Sequence, residues 1–403
     1  MTKLQGRELF ASINSPQRIV APMVDQSELA WRMLSRKYGA TLCYTPMMHA
    51  RLFATQEKYR RDMWSELDGG EQDRPLVVQF CANDPDYLLQ AAKHVVGKCD
   101  AVDINFGCPQ GIAKKGGYGA FLMDDWPLVY KLINKLHTEL EVPVTAKIRV
   151  YEDKEKTLEY AKMVLDAGAQ FLTVHGRTRE MKGQKTGLAD WEILRYLRDN
   201  LPKDTVFFAN GNILYPEDIT RCLNEVSCDA VMSAEGNLFN PAVFLDETAP
   251  LKEQHPRVDK ILREYYEIVK NCPGNASKIA MKSHMFKILR PFLPVHTDIR
   301  EMVAKVSPKH NFDAVESIVK AVEDRVAEIY AKDDIEELDV ITVGEKQPWG
   351  GAYRTVPYWR CQPYFRPVNG VTGDKRVTEQ LQENEKKRSA EDELQKDETK
   401  KSV

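Results

Sequence analysis

Val102-Asp103-Ile104-Asn105-Phe106-Gly107-Cys108-Pro109 carries an apolar strand straight into an asparagine, a glycine and a thiol. Strands buried on both faces read as near-continuous hydrophobic runs, and parallel α/β folds keep their chemistry at the C-terminal tips of such strands. The pattern recurs: Lys147, His175, Asn210 and Gly211 each close a separate run. One such tip is weak evidence. Several with complementary chemistry imply a single site.

Outward from this stretch, short apolar runs cover 19–22, 42–45, 76–80, 101–104, 144–148, 171–175, 206–209 and 230–233. Their β-branched and aromatic content fits buried strands. Amphipathic segments separate them. One opens at Asp125-Trp126-Pro127 and presents Leu128, Leu132, Ile133 and Leu136; another follows Asp153 and ends at Gly168; a third begins at Pro216-Glu217. Eight strand–helix units in roughly 230 residues match the size of a closed (β/α)8 TIM barrel.

The alternation stops at Ala249-Pro250 and His255-Pro256, and residues from about 257 to 335 read as helices only. The expected organisation is a catalytic barrel over 1–250, a smaller all-helical domain over 251–336, an aromatic and Pro-rich segment over 337–370 that packs back on the body, and a charged, disordered tail over 371–403.

Composition narrows the class. With 43% hydrophobic residues the chain can bury a large core, yet no apolar run reaches the ~18 residues of a membrane span. Met1-Thr2-Lys3-Leu4-Gln5 lacks the apolar core of a secretory signal. The 8 cysteines include no CxxC pair and no metal-like Cys/His cluster, so reduced thiols, no metal, and a cytoplasmic or nuclear setting are expected. A net charge of −3 does not announce nucleic-acid binding, although a whole-chain sum can hide a basic face.

In a barrel the strand tips converge on one mouth. Strand 1 brings Pro22, Met23 and Val24, a backbone ledge with a soft side chain suited to an aromatic ring. Gln79 on strand 3 can read the edge of a flavin or a base. Lys147 is a cation in an apolar run, costly to bury without an anionic partner, and the N1–C2=O edge of a reduced flavin is such a partner. His175 ends strand 6, Asn210-Gly211-Asn212 ends strand 7 and Ala234-Glu235-Gly236 ends strand 8, where backbone N–H groups could meet a phosphate. Taken singly, a buried Cys or a strand-end His is more often structural, whereas a core lysine is rare enough to favour function. Gly116-Gly117-Tyr118-Gly119 is no Rossmann fingerprint, since no strand immediately precedes it.

These residues resemble the tRNA-dihydrouridine synthase family. Ala21-Pro22-Met23, Asn105-Phe106-Gly107-Cys108-Pro109, the loop Lys114 to Ala120, Lys147-Ile148-Arg149, Val174-His175-Gly176-Arg177-Thr178-Arg179 and Asn210-Gly211-Asn212 carry the likeness over about 18–245. Ala234-Glu235-Gly236-Asn237 and Trp359-Arg360-Cys361-Gln362-Pro363-Tyr364 look like the eukaryotic branch acting on D-loop uridines 16 and 17.

The resemblance implies FMN in the mouth, NADPH or NADH as reductant, and tRNA as substrate, with hydride passing from flavin N5 to uracil C6. It makes Cys108 the general acid for C5; a thiol of ordinary acidity is protonated at neutral pH and can donate. It gives Asn105 to the flipped base, Gln79, Lys147 and His175 to FMN, and Arg149, Arg177 and Arg179 to substrate or RNA phosphate. Glu235 departs from the arginine of many relatives, leaving backbone amides with Asn210 and Asn212 to meet the flavin phosphate. Basic residues for the RNA are sought in Lys114 and Lys115 and in Lys278, Lys282, His284, Lys287 and Arg290. A monomer is expected. The competing readings are a flavin oxidoreductase for a free pyrimidine, which would not need the helical domain, and a tRNA-binding factor without catalysis.

Overall fold

A computed structural model of the chain describes residues 3–183, 186–272, 274–347 and 350–365. The barrel consists of β1 (Arg18–Val20), β2 (Leu42–Tyr44), β3 (Leu76–Cys81), β4 (Ala101–Asn105), β5 (Val144–Arg149), β6 (Phe171–His175), β7 (Val206–Asn210) and β8 (Ala230–Ser233). All pair in parallel; β1 bonds to both β2 and β8, and β2 to β3, so the ring closes. A two-residue strand, Met48–His49, extends the wall beside β3.

Side chains alternate across each strand. Val78, Phe80, Val102, Ile104, Ala146, Ile148, Leu172, Val174, Phe207 and Ala209 join the layer between strands and helices. Ile19, Leu42, Val77, Ala101, Phe171, Val206, Phe208 and Met232 fill the interior, with Leu9, Phe10 and Ile13 from the region of the helix Gly6–Ser12 in the same cluster. Two residues further along the same face the chain turns polar: Gln79 follows Val77, Asp103 follows Ala101, Thr173 follows Phe171, and Asn210 follows Phe208. That change of character within one interior sets the position of the site.

The helices start where the sequence supplies caps. Asp84, Asp125, Asp153 and Asp190 accept backbone N–H bonds at the starts of α2 (Pro85–Lys93), α3 (Trp126–Glu139), α4 (Lys154–Asp166) and α5 (Trp191–Asn200), each cap contributing about 1 kcal/mol. α1 (Leu29–Lys37) follows β1, and α6 (Pro216–Val226) precedes β8.

Beyond the barrel run α7 (Val258–Asn271), α8 (Ala276–Ile288), α9 (Thr297–Lys305) and α10 (Asp313–Tyr330). Their core takes in Leu29, Trp31, Leu34 and Tyr38 of the α1 region, together with Trp359 and Cys361. Cys361 N donates to Pro256 O at 2.8 Å and Arg360 Nη1 to His255 O at 2.8 Å. Among the described residues, those up to Ile335 together with Tyr358–Pro363 constitute one compact unit, and Glu336–Pro357 with Tyr364 and Phe365 belong to a second. In the second, β9 (Thr342–Lys346) and β10 (Ala352–Thr355) pair antiparallel. The expected tail, 371–403, and Trp349 lie outside the described residues. Among the described residues no helix is long and apolar enough to cross a membrane.

Candidate functional site at the barrel mouth

Strand register brings the polar tips together: Asn105 sits opposite Lys147, Arg149 opposite His175, and His175 opposite Asn210. A continuous hydrogen-bond chain links the first of these downward. Gln79 Nε2 donates to Asp103 Oδ2 at 2.8 Å, and Thr145 Oγ1 donates to the other carboxylate oxygen at 2.7 Å. Asn105 Nδ2 donates to Gln79 Oε1 at 2.9 Å, while Asn105 Oδ1 accepts from the backbone N–H of Gly107 (3.0 Å) and Cys108 (2.8 Å). These partners fix both amide orientations; Gln79 is fully buried, and Asn105, which reaches the surface of the mouth, keeps one N–H for a ligand. Asn105 therefore shapes the turn that presents Cys108. The same turn needs Gly119, whose φ is +66° and whose Cβ would fall 2.7 Å from Cys108 O.

Four cationic or basic groups continue the rim along β5, β6 and the loop that follows. Burial, followed by the nearby Arg149 charge, holds Lys147 down to about 8, with Asp103 and Cys108 opposing. Lys147 is 8% exposed and makes no hydrogen bond or ion pair among the described residues. Such an ammonium is costly unless something anionic meets it. Arg149 is lowered to about 10 by burial and by Arg177, and it braces the mouth: Nε donates to Gly107 O at 2.6 Å and Nη1 to Thr178 O at 2.8 Å. Burial and the charges of Lys147, Arg149 and Arg177 push His175 well below its ordinary range, so it is neutral at pH 7. Because an arginine can only donate, His175 Nε2 accepts from Arg177 Nη1 at 2.9 Å and the ring proton sits on Nδ1.

The strand 7 loop is held by Asn212, whose Oδ1 accepts from Arg177 Nη2 and Ala189 N, both at 2.9 Å. Gly211 has φ +119°, and a Cβ there would lie 2.5 Å from that of Ala189. Asn210 Nδ2 donates to Met232 O at 2.8 Å and its backbone oxygen accepts from Gly176 N, leaving the side-chain Oδ1 without a partner among the described residues. Pro22 and Met23 are half-buried, and Met23 touches the barrel interior, the wall and the helical core. Val24 is exposed. Ala234 packs on the interior and Glu235 opens the one-turn helix Glu235–Phe239. Arg179 lies apart, paired with Asp124 and Glu180.

Two features do not emerge from the sequence reading. Asp103 and Thr145 underlie the site, and the signal is present: Asp103 interrupts an apolar run two residues before Asn105, on the same strand face. Cys81, Ala113 and Tyr118 form a small buried cluster against which Cys108 packs. The expected basic face also needs correction at one position. His284 is fully buried, stacked on Trp31 at 4.0 Å, with Nε2 3.1 Å from Glu28 Oε2, and Tyr265 donates to the other Glu28 oxygen at 2.7 Å. It joins α8 to the start of α1 and cannot meet RNA. Lys114 and Lys115 are exposed on the helix Gly111–Gly116.

Comparison with known proteins adds a family. Residues 19–335 match the family model described as dihydrouridine synthase. The Saccharomyces cerevisiae protein named tRNA-dihydrouridine(16/17) synthase, NAD(P)(+), is 67% identical, with 100% of this chain and 96% of that protein covered. The protein of the same name from Schizosaccharomyces pombe is 50% identical over 91% of this chain and 92% of its own length. Among solved structures, a 2-naphthoyl-CoA reductase complex overlaps 57% of this chain and 49% of its own at 9% identity and a TM-score of 0.42, too slight a likeness to carry weight.

Proposed function

The chain belongs to the dihydrouridine synthase family, and on the geometry of its barrel mouth we propose that it binds FMN there and, acting as a single chain with NADPH or NADH as reductant, converts uridine to 5,6-dihydrouridine at D-loop positions 16 and 17 of tRNA. The names of the two yeast relatives support the substrate and the nicotinamide. The observation that carries the reading is the turn held by Asn105, which presents the Cys108 thiol at the same mouth as a buried ammonium with no partner among the described residues.

The residues present fit a flavin. Lys147 offers a cation lacking any protein partner among the described residues, Gln79 an amide fixed just beneath the mouth, and the Asn210 to Asn212 loop a close backbone approach. When bound, the flavin supplies the hydride that C6 of the base receives. Cys108 holds the proton for C5 and, partly exposed, can be reprotonated from solvent. Neutral His175 donates from Nδ1, while Arg149 keeps the Cys108 turn against the loop after β6. Pro22, Met23, Ala234 and Glu235 border the cofactor, and Asn105 offers its free N–H to the base. Arg177 is engaged by His175, Asn212 and the Gly187 carbonyl, so RNA phosphate contacts are assigned mainly to Lys114, Lys115 and the basic residues of α8.

Incubating the purified chain with unmodified tRNA, FMN and NADPH, then mapping dihydrouridine along the RNA, tests this directly. Reduction at 16 and 17 is expected. Turnover of free uracil with untouched tRNA would favour the small-molecule reductase instead, and no reduction of either would remove the assignment.

A further inference from the structure

Lys147 and the Cys108 turn share one neighbour that neither needs for its own packing. Asp103 is fully buried in the barrel interior, with Gln79 on one carboxylate oxygen and Thr145 on the other. It lies two register positions below the Asn105–Lys147 pair and on the same face, on the strand adjacent to that of the lysine. A buried carboxylate is expensive, and an apolar residue at 103 would continue the interior of Ala101 and Phe171. We propose that Asp103 is a positioning residue of the flavin site: its carboxylate orients Gln79, through Gln79 it sets Asn105 and the Cys108 turn, and its charge sits beneath Lys147 on the neighbouring strand. The inference rests on the flavin reading above and deepens it.

The hydrogen bonds dictate the orientation. A carboxylate only accepts, so Gln79 must turn Nε2 toward Asp103 and Oε1 toward Asn105. Asn105 must then donate to Gln79, which aims its oxygen at the N–H groups of Gly107 and Cys108. The electrostatics agree in direction. Asp103 is raised to about 6, first by burial, against the Gln79 and Thr145 bonds and the Lys147 charge. The groups facing Lys147 are Arg149, which disfavours its charge, Asp103 and Cys108, which favour it, and His175, which the Lys147 charge helps keep neutral. Tyr44 faces Asp103 from β2. Asp103 thus offsets the repulsion among the cations of the mouth.

Asp103→Asn preserves the shape and removes the charge; its amide can still accept from Gln79 and donate to Thr145. FMN affinity is measured by fluorescence quenching from pH 5 to 10 for the unaltered chain and the variant, with thermal unfolding at pH 7 alongside. The variant's alkaline limb, set by Lys147, is expected to move down by about one pH unit while its melting temperature is not lowered. A purely structural Asp103 would give the reverse, a lower melting temperature with an unmoved limb, and that result overturns the proposal. Thr145→Val keeps the charge and removes one donor, so its alkaline limb stays in place and its acid limb rises. If Asp103→Asn fails to fold, an unmoved acid limb in Thr145→Val overturns the proposal by itself. Failure of the unaltered chain to quench FMN at any pH would instead remove the flavin reading, and this inference with it.

Discussion

The lower and upper halves of the barrel interior are built from the same strands, on the same face, two residues apart, and they do opposite things. Below, Phe171, Val206, Phe208 and Met232 pack against Phe10, and burying each such side chain stabilises the fold by about 1.5–3 kcal/mol. Above, Asp103, Asn105 and Lys147 are enclosed at the mouth and hold charges or amides that gain nothing from burial. The lower half stores the stability that lets the upper half be strained electrostatically. Polar groups are tolerated at the tips because the apolar layer beneath and the helix-covered wall around them fix the strands.

Several substitutions break or sharpen this contrast. The largest effect is expected from Cys108→Ala, which should lower uridine reduction by about 10²- to 10⁴-fold while leaving unfolding by urea within about 1 kcal/mol. Retained activity would take the thiol out of the chemistry. In the lower half Phe208→Ala should cost about 3–5 kcal/mol of stability, read as a shifted urea midpoint. A loss under about 1 kcal/mol would show that the interior is not divided as described.

Lys147→Met inverts the expectation, because the folded chain carries a penalty that the variant lacks. The folded pKa of about 8 lies below the unfolded 10.5. Between them the unfolded chain binds more protons, so stability of the flavin-free protein rises with pH across that window, by up to about 3 kcal/mol. The variant should lose this rise and start from a higher stability at pH 7, with weakened FMN binding. A rise that survives in the variant would assign it elsewhere. Replacing Lys114 and Lys115 by alanine should be smallest on stability, within about 0.5 kcal/mol, yet should flatten the salt dependence of tRNA binding. An unchanged salt slope would move the RNA contact away from that helix.

The strands and their tips are legible in the sequence because burial on both faces forces a run of apolar residues, and a polar residue ending such a run is conspicuous. The apolar runs lie within a residue or two of the observed strands. Asp103 escapes notice because a single carboxylate in an apolar run shows neither its depth nor its partners. His284 misleads for the opposite reason. A histidine among lysines on a helix reads as a basic face, and only the packing of α8 on α1 reveals that it faces inward.

Chain order alone determined the alternation of strands and helices, the closed parallel ring it implies, and the identity of the groups carried to one rim, because these follow from periodicity and residue chemistry. Only the folded arrangement decided that Asn105 faces Gln79 and the Cys108 turn, that Arg149 and Arg177 are braces, and that a carboxylate lies beneath the lysine. Those relations depend on register between strands and on which donors are already taken. Neither is written in any one segment.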